Sequence, residues 1–169
     1  MTTSSLTNLA NTAANLPGPT PIDHPVLTLA RAHAQDAGLA FAGSVSPTDA
    51  WQLQQQGLAV IVDVRTNEER KFVGHLPDSL HVAWATGTAL TRNPRFVKEL
   101  EGKLKDKQAV VLLLCRSGKR SALAAEAASK AGLSNVFNIE QGFEGDLDEA
   151  QQRGHYGGWR FHKLPWVQD

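Results

Sequence analysis

The chain of 169 residues is short of several things, and each shortage excludes a class of protein. It has one cysteine, Cys115, so no internal disulfide can form, which fits a reducing compartment. It has no excess charge, with 17 Lys plus Arg against 17 Asp plus Glu. No global basic field invites nucleic acid, and no acidic or basic block marks a charged tail. No apolar run approaches the roughly 20 residues that a membrane span needs. The opening stretch, MTTSSLTNLANTAANLPGPTP, has neither a basic start nor a continuous apolar segment, so it does not read as a signal peptide. His81, His155 and His162 lack ligand spacing with one another or with Cys115, which argues against a metal site. The expectation is a soluble, cytoplasmic protein with no metal, no membrane and no nucleic-acid partner.

What the sequence does have is enough length for one real core, since a chain of this size buries roughly 70% of its unfolded surface. Residues 1–21, rich in Thr, Ser, Asn and Ala, offer little to bury and predict a flexible tail. Residues 22–43 predict an accessory helix and linker, with Val26, Leu29, Ala30, His33 and Ala37 along its packed face and Gly38 ending it. Ser46 caps the next helix, with Pro47 at its first position and Gly57 closing it. LAVIVDV (Leu58 to Val64) has the length and apolarity of a strand. Thr66 and Glu69 then stand in capping-box spacing. GHLPD reads as a turn, and His75 within it as a turn residue. Ser79 to Trp84 predicts a short strand. Asn93 reads as the cap of a helix with Pro94 first inside. The unalternating AVVLLL predicts a strand covered on both faces. The alanine-rich stretch from Ser121 predicts a helix closed by Gly132, and SNVFNI a further strand. The remainder reads as a helical piece and a Gly- and Trp-rich terminus. Strands alternating with helices predict an α/β fold with a mainly parallel sheet.

The richest stretch is CRSGKRS, placed where the AVVLLL strand ends. Open parallel sheets bind ligands at the carboxyl ends of their strands. Gly118 permits a tight turn there. The N–H groups of that turn and of the following helix form an anion-binding concavity, to which Arg116, Lys119 and Arg120 add positive charge. These features favour a thiolate at Cys115. A buried structural cysteine is the bland alternative, but it would not require a cationic glycine loop directly after it.

A thiolate in an anion-binding cup suits phosphoryl transfer or sulfur transfer. A phosphatase loop needs arginine six residues after the cysteine to grip phosphate bidentately, and that position is Ser121, with the arginine one place early at Arg120. The loop also supplies no general acid. Sulfur transfer needs neither, because the thiolate attacks, a persulfide forms and no proton must move.

At these residues the sequence resembles the rhodanese (thiosulfate sulfurtransferase) domains, single-domain bacterial type. The resemblance rests on CRSGKRS, on VDVRTNEERKFVGHLPDS in place of the family's D-V-R…E…G-H-I-P-G-A stretch, on IEQGF and on the GWRFHKLPW ending. It covers residues 44–167, taken as the rhodanese-like domain. It implies an α/β, mainly parallel five-stranded sheet flanked by helices on both faces, with the accessory helix outside it. It also implies a persulfide on Cys115, a small anionic donor such as thiosulfate and no cofactor. The acceptor would be a thiol or dithiol, a protein among the options. Arg116, Ser117, Gly118, Lys119, Arg120 and Ser121 form the substrate-binding loop. Ser117 stands where some thiosulfate-using members carry lysine, and Asp78 where the family's turn has glycine.

Around the loop, Asp63 is expected to hold it by accepting backbone N–H bonds, and Arg65 and Glu69 to pair with each other as scaffold. Trp84 and Phe143 are expected to wall the pocket on the Cys115 side, Gly142 to bring backbone close to it, and Trp159 and Trp166 to pack the tail down. Two rivals to sulfur transfer stand beside it: a phosphatase or arsenate-reductase-like enzyme on the same fold, and a non-catalytic binding module.

Overall fold

The computed structural model describes residues 23–169, so the tail expected over 1–21 lies outside the described residues. Five strands form one parallel sheet: β1 (Gly43–Val45), β2 (Val60–Asp63), β3 (Leu80–His81), β6 (Val111–Leu114) and β7 (Val136–Ile139), in the order β1-β7-β6-β2-β3. An antiparallel pair that the sequence patterns did not suggest, β4 (Ala85–Thr86) with β5 (Thr91–Arg92), stands apart from the sheet.

Alternation along the strands explains the layers. Val62, Val111, Leu113 and Val136 point to one face, where Phe96 and Leu100 of α4 (Phe96–Lys103) and Ala124, Ala125 and Ala128 of α5 (Lys119–Lys130) cover them. Ile61, Leu112, Leu114, Phe137 and Ile139 point to the other, covered by α1 (Pro25–Ala37), α2 (Pro47–Gln55) and Trp159. Both faces of the central strands are therefore dry, which is why they read as unbroken apolar runs. The small alanines of α5 let that helix sit close over β6 and β7.

The helix starts follow side-chain chemistry. Ser46 accepts from the Asp49 N–H at 3.1 Å and Pro47 opens α2. Thr66 and Glu69 form the reciprocal capping box of α3 (Asn67–Phe72). Three expectations need correction. The buried face of α1 is Leu27, Ala30 and Ala34, with Leu29 57% exposed. The face that packs is the one turned to β1, where Gly43 comes so close that an added Cβ would stand 2.6 Å from the Ala30 carbonyl oxygen, whereas His33 and Ala37 of the expected stripe are exposed. Helix α4 begins at Phe96 and not at Pro94, because Asn93 is spent elsewhere: its Nδ2 donates to the Ala83 carbonyl and its Oδ1 accepts from the Arg95 N–H. No helix follows Gly145. The Asp148 carboxylate there accepts from the Ala150 and Gln152 N–H groups and from His155, winding the segment into turns.

The chain end returns to the sheet. Val167 exchanges backbone hydrogen bonds with His75, Trp159 Nε1 donates to the Pro165 carbonyl, and Gln168 donates to the Phe72 carbonyl. In the turn this strap holds, Asp78 sits at φ 60, a left-handed conformation that Asp tolerates better than most residues and that explains how it replaces glycine.

Candidate active site

Cys115 follows the last residue of β6, at the carboxyl end of a central strand. Its carbonyl accepts from the Phe143 N–H at 2.8 Å, and that of Arg116 from the Glu144 N–H at 2.9 Å. The backbone of the cysteine loop is thereby stitched to the turn after β7. Gly142 makes the stitch possible. It has φ 63, and a Cβ there would stand 2.5 Å from the Arg116 and Cys115 carbonyl oxygens. Gly118, at φ 96, turns the chain into α5 and is its N-cap, with no side chain available to satisfy the free N–H groups.

One of those donors is used on sulfur. The Gly118 N–H points at Cys115 Sγ at 3.1 Å, and Ser121 Oγ lies 3.1 Å from the same atom. Ser121 Oγ also lies 2.5 Å from Asn138 Oδ1, while Asn138 Nδ2 donates to the Gly118 carbonyl at 3.2 Å. Asn138 was missed in the sequence. The available signal was a polar residue inside an otherwise apolar strand; it is buried on the Cys115 face because β7 lies beside β6 with Asn138 opposite Leu113. The thiol itself is 1% exposed.

The cations of the loop divide into two kinds. Arg120 makes a two-pronged bond to Glu69, at 2.9 and 2.6 Å, so its guanidinium is engaged by α3 and not offered to a ligand. Burial alone would raise the Glu69 carboxyl. The Arg120 bonds, the Thr66 N–H and the charge of Arg65 outweigh it and bring the group from 4.5 down to about 2. The hydrogen bonds from Arg120 to Glu69 in turn raise Arg120, so the pair stays ionised. Arg116 and Lys119 make no ion pair among the described residues, and Arg116 Nε is buried without a partner. Lys119 is exposed, and Ser117 is half-buried in the loop between them.

The supporting residues differ from expectation in three ways. Arg65 does not pair with Glu69. It is wholly buried and pairs with Asp63 through Nε at 3.0 Å and Nη2 at 2.8 Å, because the capping box turns Glu69 away toward α5. Asp63 accepts from the Arg65 backbone N–H and from Arg70, so it holds its own β2–α3 turn and does not reach the cysteine loop. Phe143 belongs to the core on the opposite face, under the Arg65 guanidinium at 4.2 Å, and meets the loop only through its backbone N–H. Trp84 does share the apolar cluster of Cys115, packed edge-on to Phe96 with the Arg92 guanidinium over its ring. Trp159 is buried and edge-on to Trp51, whereas Trp166 is only partly covered.

Among the described residues, no three His, Cys, Asp or Glu side chains gather as metal ligands, and no helix is long and apolar enough to cross a membrane. A cavity of about 490 Å³ lies at the other ends of the strands, lined by Leu58, Val60, Leu80, Lys103, Lys105 and Val110 among others. No cysteine, serine, threonine or histidine lines it.

Comparison with known proteins agrees with this layout. A family model described as "Rhodanese-like domain" matches residues 46–149. The crystal structure of Rv0390 from M. tuberculosis superposes with a TM-score of 0.69 at 40% identity, covering 76% of this chain and 99% of that one. An uncharacterized protein of Rickettsia rickettsii, the RP600 homolog, is 35% identical over 113 residues, 64% of this chain and 82% of the relative. The polysulfide-sulfur transferase homodimer of Wolinella succinogenes shares the fold, with a TM-score of 0.54 at 20% identity over 84% of this chain and 89% of that one.

Proposed function

From the premise that this chain belongs to the rhodanese-like domain family, we propose that it is a sulfurtransferase working through a persulfide on Cys115. The observation that carries the proposal is the seat of Sγ: two donors, Gly118 N–H and Ser121 O–H, on one sulfur atom at the start of a helix, with unpaired Arg116 and Lys119 in the same loop.

The donor is a small anion carrying sulfane sulfur, such as thiosulfate. The Sγ lone pair forms a bond to the outer sulfur of thiosulfate, and the donor's S–S bond breaks with its electron pair leaving on sulfite. The charge of the thiolate thereby moves to the outer sulfur of Cys115–S–S⁻. In the second half, an acceptor thiolate or cyanide attacks that outer sulfur and the pair returns to Sγ. No proton moves in either half, so no histidine base is required and no cofactor enters. Arg116 and Lys119 attract the donor, and the helix N-terminus stabilises the charge that stays behind. Arg120 keeps α5 in place through Glu69, so the arginine nearest the position a phosphatase loop uses for phosphate is already engaged. The acceptor is a thiol or dithiol, and the compartment is the reducing cytoplasm, where a lone thiol stays usable.

Intact mass after exposure to thiosulfate tests this directly. The protein should gain one sulfur atom, lose it to cyanide as thiocyanate, and do neither as Cys115→Ser, because a hydroxyl is a far weaker nucleophile toward sulfur. Aryl-phosphate hydrolysis exceeding sulfur transfer, or thiocyanate formation by Cys115→Ser, would overturn the assignment.

A further inference from the structure

Ser121 carries one hydroxyl hydrogen and faces two acceptors. Its Oγ lies 3.1 Å from Cys115 Sγ and 2.5 Å from Asn138 Oδ1. The orientation of the Asn138 amide is fixed by its other contact, Nδ2 donating to the Gly118 carbonyl at 3.2 Å. Turning it over would set Oδ1 against that carbonyl oxygen. Ser121 is fully buried, Cys115 1% exposed and Asn138 7%, so solvent does not stand in for a missing partner. The hydroxyl must choose.

We propose that Asn138 is a positioning residue for sulfur loading: it holds an alternative acceptor for the Ser121 hydrogen and so favours the persulfide over the empty thiolate. The inference rests on the sulfur-transfer function above. When Sγ carries the negative charge, the Ser121 O–H donates to it and Asn138 Oδ1 is left short of a donor. Loading forms the Sγ–S bond, breaks the donor S–S bond with its pair leaving on sulfite, and leaves the negative charge on the outer sulfur. Sγ is then a neutral, two-coordinate sulfur and a weak acceptor. The Ser121 hydrogen turns to Asn138 Oδ1, and no buried polar group is stranded. Ser121 thus stabilises the empty state through sulfur, and Asn138 stabilises the loaded state through Ser121. Gly118 N–H stays on Sγ throughout, because its direction is set by the loop backbone.

The two residues therefore act with opposite sign, which a merely structural role would not produce. The experiment equilibrates the protein with thiosulfate and sulfite at a fixed ratio and at alkaline pH, so that the empty enzyme is ionised. Intact mass then gives the ratio of persulfide to free protein. Asn138→Ala should lower that ratio about tenfold, the effect of one buried hydrogen bond left unmade. Ser121→Ala should raise it by a similar factor. In the Ser121→Ala background, Asn138→Ala should have no further effect, because the hydrogen it receives is gone. Equal effects of Asn138→Ala in both backgrounds, or single variants that shift the ratio in the same direction, overturn the proposal while leaving sulfur transfer intact. A wild type that never gains sulfur overturns both. Should Asn138→Ala fail to fold, Ser121→Ala decides alone, and a ratio that falls or stays put is the adverse result.

Discussion

Gly142 is the residue on which the loop's position depends most, although it touches sulfur with nothing. Its φ of 63 and the 2.5 Å that would separate an added Cβ from the Arg116 and Cys115 carbonyl oxygens leave no room for a side chain. Gly142→Ala should push the turn after β7 off the loop and weaken the bonds from Phe143 and Glu144 that hold it. Unfolding in urea should report a loss of about 2–3 kcal/mol, in the range for strained backbone and overpacking. Sulfur transfer measured well below the midpoint should fall more steeply than stability, because the displaced carbonyl belongs to the nucleophile. Arg116 poses the complementary case. Its Nε is buried without a partner, so it holds an unmet donor in the loop. Arg116→Met keeps the stem and removes the charge, and should raise the KM for thiosulfate about tenfold with little change in stability.

At the scale of elements, α3 and α5 are joined by one carboxylate that does two jobs. Glu69 closes the capping box of α3 and clamps Arg120 of α5. Because its carboxyl is held at about 2 when folded against 4.5 when free, the stability it contributes is complete above pH 4.5 and is lost as pH falls through about 2. The pair is mostly shielded from water, so the contribution is on the order of 2 kcal/mol after screening. Glu69→Gln should therefore be less stable than wild type at neutral pH and lose less stability between pH 4.5 and 2. Denaturant midpoints across that window check it; parallel curves would assign the clamp no energetic role. This clamp also marks where the sequence stops being legible. Thr66 and Glu69 announce their box because capping is local, and β6 and α5 announce themselves by an unbroken apolar run and a run of alanine. Which cation Glu69 meets is decided by the packing of α5 beside α3, 51 residues away in sequence. The four-residue spacing from Glu69 pointed to Arg65, which lies before α3 and which geometry instead gave to Asp63. The partners of Asn138 were illegible for the same reason, since they come from Gly118 and from Ser121 of α5 and nothing in VFNI names them.

The whole molecule closes around its own end. Trp159 is wholly buried against Trp51, bonds the Pro165 carbonyl, and donates its backbone N–H to the Gly142 carbonyl. Trp159→Ala should therefore remove about 3–5 kcal/mol of stability, measured by chemical denaturation, the range for deleting a large buried aromatic. Sequence alone marked Trp159 as packing, but neither the 39% exposure of Trp166 nor the path of the terminus, because the bond between Val167 and His75 joins segments that share no local pattern. The sheet that the strap helps to cover ends in β1 and β3, of three and two residues. Edges so brief expose almost no ladder of free N–H and C=O groups. Another backbone laid alongside would gain only one or two bonds, too few to repay its ordering. On the sulfur-transfer function proposed above, a protein acceptor would therefore not be received by strand addition and would present its thiol on a projecting side chain or flexible loop. The same blunted borders guard the molecule against fibrous self-association.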